Sequence, residues 1–92
     1  MSYEEEVAAY RKEINMINEE IIEKISERVL LALKINGVKQ RFKKPIIDKI
    51  REQEVLNQVR VSAKEKGLNP DAMERIFKEI IQACVEAEES QK

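Results

Sequence analysis

The chain has 92 residues, of which 42% are hydrophobic and 38% are charged, and its formal net charge is −1 at pH 7. This composition predicts one small helical domain over residues 1–92, and the near-zero charge gives no overall attraction to nucleic acid or to an anionic membrane. With no His and a single Cys, the sequence excludes a Ser-His-Asp or Cys-His site and a Cys or His zinc site.

The first predicted element is one long helix from about Glu4 to about Arg41. Apolar residues follow heptad spacing along it, at Val7, Tyr10, Ile14, Ile17, Ile21, Leu31, Ile35, Val38 and Phe42. Lys24 and Arg28 occupy the two missing places in this seam. A helix of about 36 residues is roughly 54 Å long, whereas a compact globule of this length has a radius of gyration of about 12 Å. The seam therefore predicts a partner chain along it, in an intertwined homodimer.

Two shorter helices are predicted after this one. The second runs from about Asp48, which can cap it, to Lys66, and Gly67 closes it. The third begins with Asn69 as N-cap and Pro70 at the first helical position. Their inward lines are predicted at Val55, Val59, Ser62 or Ala63, and at Met73, Phe77, Ile80 or Ile81, and Cys84. The predicted fold class is all-α, with three helices per chain.

Ionisable residues interrupt the apolar face of each predicted helix. They are Arg28 and Lys39 in the first helix, Asp48, Arg51 and Glu52 in the second, and Glu88 in the third. A guanidinium on a buried seam is costly without an anion, so a structural ion pair is the simpler explanation of Arg28 alone. Three sets together predict a buried, strongly cationic pocket for a small molecule with more than one carboxylate.

The positions of two residues in the third helix also have simpler explanations. A free Cys commonly behaves as a small buried hydrophobe, which would account for Cys84. Glu88 lies near the C-terminus, where fraying of the helix would leave it in solvent. The pocket therefore depends on the third helix remaining ordered to Glu88.

Several stretches, taken in their order and spacing, resemble the all-helical class of chorismate mutases from Tyr10 to Glu88. They are Arg11, Ile14 and Ile17 at three-residue spacing, the Glu27-Arg28 pair, Lys39, the run from Pro45 to Glu52, and Phe77-Lys78-Glu79-Ile80-Ile81. The resemblance implies a Claisen rearrangement of chorismate to prephenate, on the route to phenylalanine and tyrosine. It also implies that the reaction needs no nucleophile, metal or cofactor.

The resemblance also implies a role for each candidate residue. Arg28 and Arg11, the latter from the other subunit, would grip the two substrate carboxylates, with Arg51 and Asp48 lining the same pocket. Lys39 would donate to the ether oxygen, and Glu52 would hold the ring hydroxyl.

Two positions depart from the commonest pattern of that family. Cys84 stands where a small hydroxyl residue is frequent, and Glu88 stands where many members have a glutamine. A glutamate can donate a hydrogen bond only when it is protonated, so we expect activity to fall as pH rises through the titration of Glu88.

Three other functions compete with this one. An isochorismate pyruvate lyase of the same fold would use similar residues, and a non-catalytic dimerisation module would pair Arg28 with Glu52 across the core. A nucleic-acid binder is the weakest, because the basic stretch from Lys39 to Lys44 holds one aromatic residue and the helix faces are rich in Glu. No stretch approaches the roughly 18 apolar residues of a membrane span, so we expect a cytoplasmic protein with no membrane partner.

Overall fold

The computed structural model describes residues 1–91, and within them the chain forms three α-helices and no strand. Helix α1 spans Tyr3–Arg41, α2 spans Lys49–Glu65 and α3 spans Pro70–Ser90. The all-α prediction is confirmed, and the helix ends named from the sequence agree with the structure to within one residue.

Local hydrogen bonds explain where the helices begin. The side chains of Ser2, Asp48 and Asn69 each accept a bond from the main-chain N–H three residues later, at 3.2, 3.0 and 3.0 Å. Each bond satisfies one of the N–H groups that have no partner at a helix start. After α2, Gly67 has a φ of 71°, a left-handed conformation that glycine adopts without a clash of Cβ.

Helix α3 lies between the other two. It packs against α2 and against α1, whereas α1 and α2 do not pack on each other within residues 1–91. The buried residues of this small core are Asn36, Leu56, Ala63, Cys84, Val85 and Glu88. Leu56 and Val85 were not among the inward positions predicted from the sequence, and two of the six buried residues are polar. One chain therefore buries little apolar surface.

The N-terminal half of α1 extends away from this core. The chain measures 62 × 27 × 15 Å and has a radius of gyration of 17.3 Å, well above the roughly 12 Å of a compact globule of this length. Ile14, Ile17 and Ile21 on the predicted seam are each at least 50% exposed. Within residues 1–91, no helix combines the length and the apolar character that crossing a membrane requires. The partner chain along this seam remains a prediction.

Lys24, one of the two cations in the seam, lies at the surface. Its Nζ is 3.0 Å from Oε2 of Glu27, and their hydrogen bond raises the pKa of the Lys24 amine. The second cation, Arg28, is partly buried beside α3. The two interruptions of the heptad thus have different surroundings in the chain.

Candidate active site

A cavity of about 340 Å³ lies where the C-terminal half of α1, the start of α2 and the end of α3 meet. This volume is within the range of small-molecule sites. Its polar lining consists of Arg28, Lys39, Asp48, Arg51, Glu52, Cys84 and Glu88, and its apolar lining includes Leu31, Ala32, Ile35, Ile46, Val55, Ile81 and Val85. Seven of the eight residues predicted from the sequence are therefore brought to one cavity, and Arg11 is not among them.

Arg28 is part of the cavity wall, and its guanidinium contacts the sulfur atom of a residue in α3. Its Nη1 donates to Sγ of Cys84 at 3.0 Å. Within residues 1–91, no carboxylate lies within salt-bridge distance of Arg28, and Glu52 instead faces Lys49 at 4.0 Å. The structural ion pair between Arg28 and Glu52 is therefore not present in this chain. A guanidinium has five N–H donors, so most of them are available to a ligand in the cavity.

Lys39 and Glu88 form another part of the wall. Nζ of Lys39 donates to the main-chain oxygen of Ile46 at 2.6 Å and lies 3.6 Å from Oε2 of Glu88. The Glu88 side chain is only 7% exposed, and Oε2 has no hydrogen bond within residues 1–91. The alternative of a frayed, solvated Glu88 is therefore wrong, because α3 continues to Ser90 and buries it.

The first turn of α2 supplies the remaining charged groups. Asp48 accepts a bond from the main-chain N–H of Arg51, so this turn is held at the cavity by its own cap. The Arg51 side chain is 61% exposed and pairs with Glu54 at 3.3 Å, whereas Glu52 is largely covered. Because the start of α2 lies at the cavity, the positive end of the helix dipole is also there, and it favours an anion.

The charge of the cavity differs from the sequence-based prediction. Three cationic side chains and three carboxyl side chains line it, so one chain alone forms a charge-balanced site when every carboxyl is ionised. The prediction of a buried, strongly cationic pocket is wrong for the single chain. The carboxyl groups lie among the cations because the charged start of α2 and the charged end of α3 both reach the cavity. A further cation from outside the chain, or protonation of a carboxyl, would make the site net positive.

Arg11 lies far from this cavity in its own chain. It precedes Arg28 by 17 residues of continuous helix, roughly 26 Å along the axis. There its guanidinium pairs with Glu4 at 3.1 Å and lies 5.8 Å from the centre of the Tyr3 ring. Arg11 therefore cannot reach a ligand in the cavity of the same chain.

Sequence reasoning missed two polar groups beside the cavity. Asn36 is fully buried and donates from Nδ2 to the main-chain oxygen of Glu88 at 3.3 Å and to Oε1 of Gln91 at 3.0 Å. The signal was present in the helical spacing, since Asn36 shares the inward face of Val29 and Ala32. The Ile46 oxygen that accepts from Lys39 is a main-chain group, and side-chain patterns give no sign of it.

Comparison with known proteins adds independent information on residues 10–89, which match the family model described as chorismate mutase type II. Two similar proteins are each named as a bifunctional chorismate mutase/prephenate dehydratase. The protein from Aquifex aeolicus (strain VF5) is 37% identical over 91 residues, which are 96% of this chain and 25% of the relative. The protein from Buchnera aphidicola subsp. Schizaphis graminum (strain Sg) is 31% identical over 85 residues, 92% of this chain and 22% of the relative. The chain thus spans about a quarter of the length of these curated relatives.

Proposed function

Because the chain belongs to the type II chorismate mutase family, we propose that it converts chorismate to prephenate in the biosynthesis of aromatic amino acids. In this rearrangement one C–O bond breaks and one C–C bond forms within a single substrate molecule. No proton or electron is transferred to or from the protein. The protein has to hold a flexible dianion in its reactive shape and to stabilise charge that develops on the ether oxygen.

The observation that carries this proposal is that Arg28, in the same cavity as Lys39, has no carboxylate partner within residues 1–91. A buried or partly buried guanidinium without a carboxylate partner is costly in a protein that binds nothing. A substrate carboxylate would meet it with two parallel, charge-assisted hydrogen bonds. Arg51, at the more exposed edge of the cavity, can bind the second carboxylate or guide its entry.

In this proposal Lys39 acts on the bond that breaks. After its bond to the Ile46 oxygen, the ammonium group retains two further N–H donors. One of them can donate to the ether oxygen, where negative charge develops in the transition state. Glu88, when protonated, can donate to the same oxygen from the other side, and the carboxylate of Glu52 can accept from the ring hydroxyl. Fixed donors of this kind contribute roughly 10²- to 10³-fold each to the rate.

The active form in this proposal is an intertwined homodimer. The seam of α1 leaves Ile14, Ile17 and Ile21 at the surface of one chain, and a second α1 along this seam would bury them. The same arrangement would bring Arg11 of one subunit to the cavity of the other. A fourth cation there would make the site net positive, as a dianionic substrate requires.

The test is an assay of purified protein with chorismate in the presence of a metal chelator. Loss of the substrate's ultraviolet absorbance, with prephenate identified by mass spectrometry, is the expected result, and the chelator should not change the rate. The same assay with isochorismate, in which pyruvate is measured, distinguishes a chorismate mutase from an isochorismate pyruvate lyase of the same fold. A folded protein that turns over neither substrate would overturn the proposal.

A further inference from the structure

Asn36 is a fully buried polar residue of α1 that the proposed chemistry does not use. Its Nδ2 group donates two bonds to the end of α3, one to the main-chain oxygen of Glu88 and one to the side chain of Gln91. The other amide atom, Oδ1, is buried without a partner in residues 1–91. Burial of Oδ1 without a hydrogen bond costs free energy. Any stabilisation by the Asn36 amide therefore comes from the two bonds that Nδ2 donates.

The end of α3 needs such a contact from outside the helix. Glu88 lies in the last turn, which ends at Ser90, and the carbonyl groups of a last turn have no partner within their own helix. Terminal turns therefore fray unless they are held. The main-chain oxygen of Glu88 accepts one bond from Gln91 N at 3.1 Å and a second from Asn36. Asn36 thus holds the residue that carries the buried carboxyl group.

The geometry also connects Asn36 to Lys39. The two residues are three positions apart on α1, so they lie on neighbouring parts of one helix face. Asn36 holds the main chain of Glu88, and the Lys39 ammonium lies 3.6 Å from its carboxyl group. Oε2 of this carboxyl group is buried and has no hydrogen bond within residues 1–91. Its position relative to Lys39 is therefore set through the main chain and the helix turn that Asn36 holds.

We propose that Asn36 is a positioning residue that fixes the carboxyl group of Glu88 beside Lys39 by binding the last turn of α3. This proposal rests on the proposed function, because it assigns Asn36 a role in the same site. Asn36 does not itself touch the substrate. Its effect passes through Glu88, so it should disappear when the Glu88 carboxyl group is removed.

The decisive experiment is a double-mutant cycle between Asn36→Ala and Glu88→Ala. In the wild-type background, Asn36→Ala should lower kcat roughly 10- to 100-fold with little change in KM, because a small displacement of a reacting group has effects of that order. In the Glu88→Ala background, the same substitution should change kcat less than about twofold, because the group that Asn36 positions is already absent. Two independent residues would instead show the same loss in both backgrounds. Equal losses in the two backgrounds would overturn the proposal.

A matched control is Asn57→Ala, which replaces an exposed asparagine of α2 that accepts a bond from Gln53. It should leave kcat and KM unchanged. A second variant, Gln91→Ala, removes only one of the two bonds of Asn36 and alters no residue of the core. It should give a smaller kcat loss that again vanishes with Glu88→Ala, so the proposal stays testable if Asn36→Ala fails to fold. A loss that persists in that background would count against it.

A measurement without substrate separates this inference from the proposed function. Amide hydrogen exchange of Glu88, Glu89 and Ser90 should become roughly tenfold faster in Asn36→Ala, while exchange in α2 stays the same. Unchanged exchange would overturn the inference even in an active enzyme. An inactive wild-type protein would refute the proposed function, and the exchange rates would still decide whether Asn36 holds the last turn.

Discussion

Sγ of Cys84 accepts a hydrogen bond from Nη1 of Arg28 at 3.0 Å, which joins α3 to the middle of α1 inside the cavity. Sulfur is a weak acceptor, and yet this is the contact through which the protein orients the guanidinium within residues 1–91. The resemblance to chorismate mutases had marked position 84 as one where a hydroxyl group is frequent. The structure gives that position a contact with the candidate site, since its side chain accepts the bond from Arg28.

Substitution of Cys84 should change the binding of chorismate through Arg28. Cys84→Ser places a better acceptor at the same position, so KM should stay the same or fall. Cys84→Val keeps a similar volume without an acceptor, and the loss of a bond of about 1 kcal/mol should raise KM roughly three- to tenfold. Steady-state kinetics of the two variants provide the comparison. Equal KM values would show that the contact with Arg28 has no role in binding.

Arg28→Ala should abolish activity and leave the protein folded. Loss of the carboxylate clamp should lower kcat/KM by roughly 10²- to 10³-fold or more. The free energy of unfolding should fall by about 1 kcal/mol, the value of one weak bond, rather than by the roughly 3 to 5 kcal/mol of a broken buried ion pair. Urea denaturation and the chorismate assay measure the two quantities.

The matched control for Arg28→Ala is Arg60→Ala. Arg60 pairs with Asp71 at 2.8 Å between α2 and α3, outside the cavity. Its loss should reduce stability by up to about 1 kcal/mol and leave kcat/KM unchanged. Strong destabilisation by Arg28→Ala, in a protein whose wild-type form turns over no substrate, would instead favour the non-catalytic dimerisation module.

The activity should depend on the protonation of Glu88. A protonated carboxyl group can donate to the ether oxygen and a carboxylate cannot, so loss of this proton should lower the activity on the alkaline side of the pH profile. Lys39 lies 3.6 Å away. The other ionisable groups of the cavity are Arg28, Asp48, Arg51, Glu52 and Cys84. In Glu88→Gln a donor is present at every pH, so this alkaline limb should be absent. The same alkaline limb in both pH profiles would remove this role from Glu88.

Two inactive variants should restore activity when their subunits are mixed. If Arg11 serves the cavity of the other subunit, Arg11→Ala and Arg28→Ala homodimers each lack part of both sites. A mixed dimer has one site that lacks both arginines and one intact site. Random mixing makes about half of the dimers mixed, so about a quarter of the wild-type activity should return in a symmetric dimer. No recovery after unfolding and refolding together would contradict the shared site.

The helices were predictable because their signals are local. Ser2, Asp48 and Asn69 each cap a helix through the N–H three residues on, and such bonds require no distant part of the chain. The exposed heptad seam was likewise readable, since a helix of 39 residues is longer than any core that 92 residues can build around it.

The surroundings of the charged residues were less predictable. The spacing brought Arg28 and Lys39 to one face, but it did not reveal that Cys84 contacts the first or that the Ile46 oxygen contacts the second. The charge of the cavity, by contrast, could be counted from the sequence, because the six ionisable residues predicted for it are three cations and three carboxyl groups. Which carboxyl groups approach which cations depends on how α2 and α3 are placed against α1, and no local pattern contains that placement.

The sequence by itself determined three helices, their ends, the exposed seam and seven of the residues that line the cavity. These follow from hydrogen bonds and apolar periodicity within each segment, where the interacting groups are a few residues apart. Only the tertiary structure decided that α3 lies between α1 and α2, that Glu88 is buried beside Lys39, and that Asn36 holds the turn that carries it. Those contacts join residues about fifty positions apart, and their formation depends on the packing of whole helices rather than on any single segment.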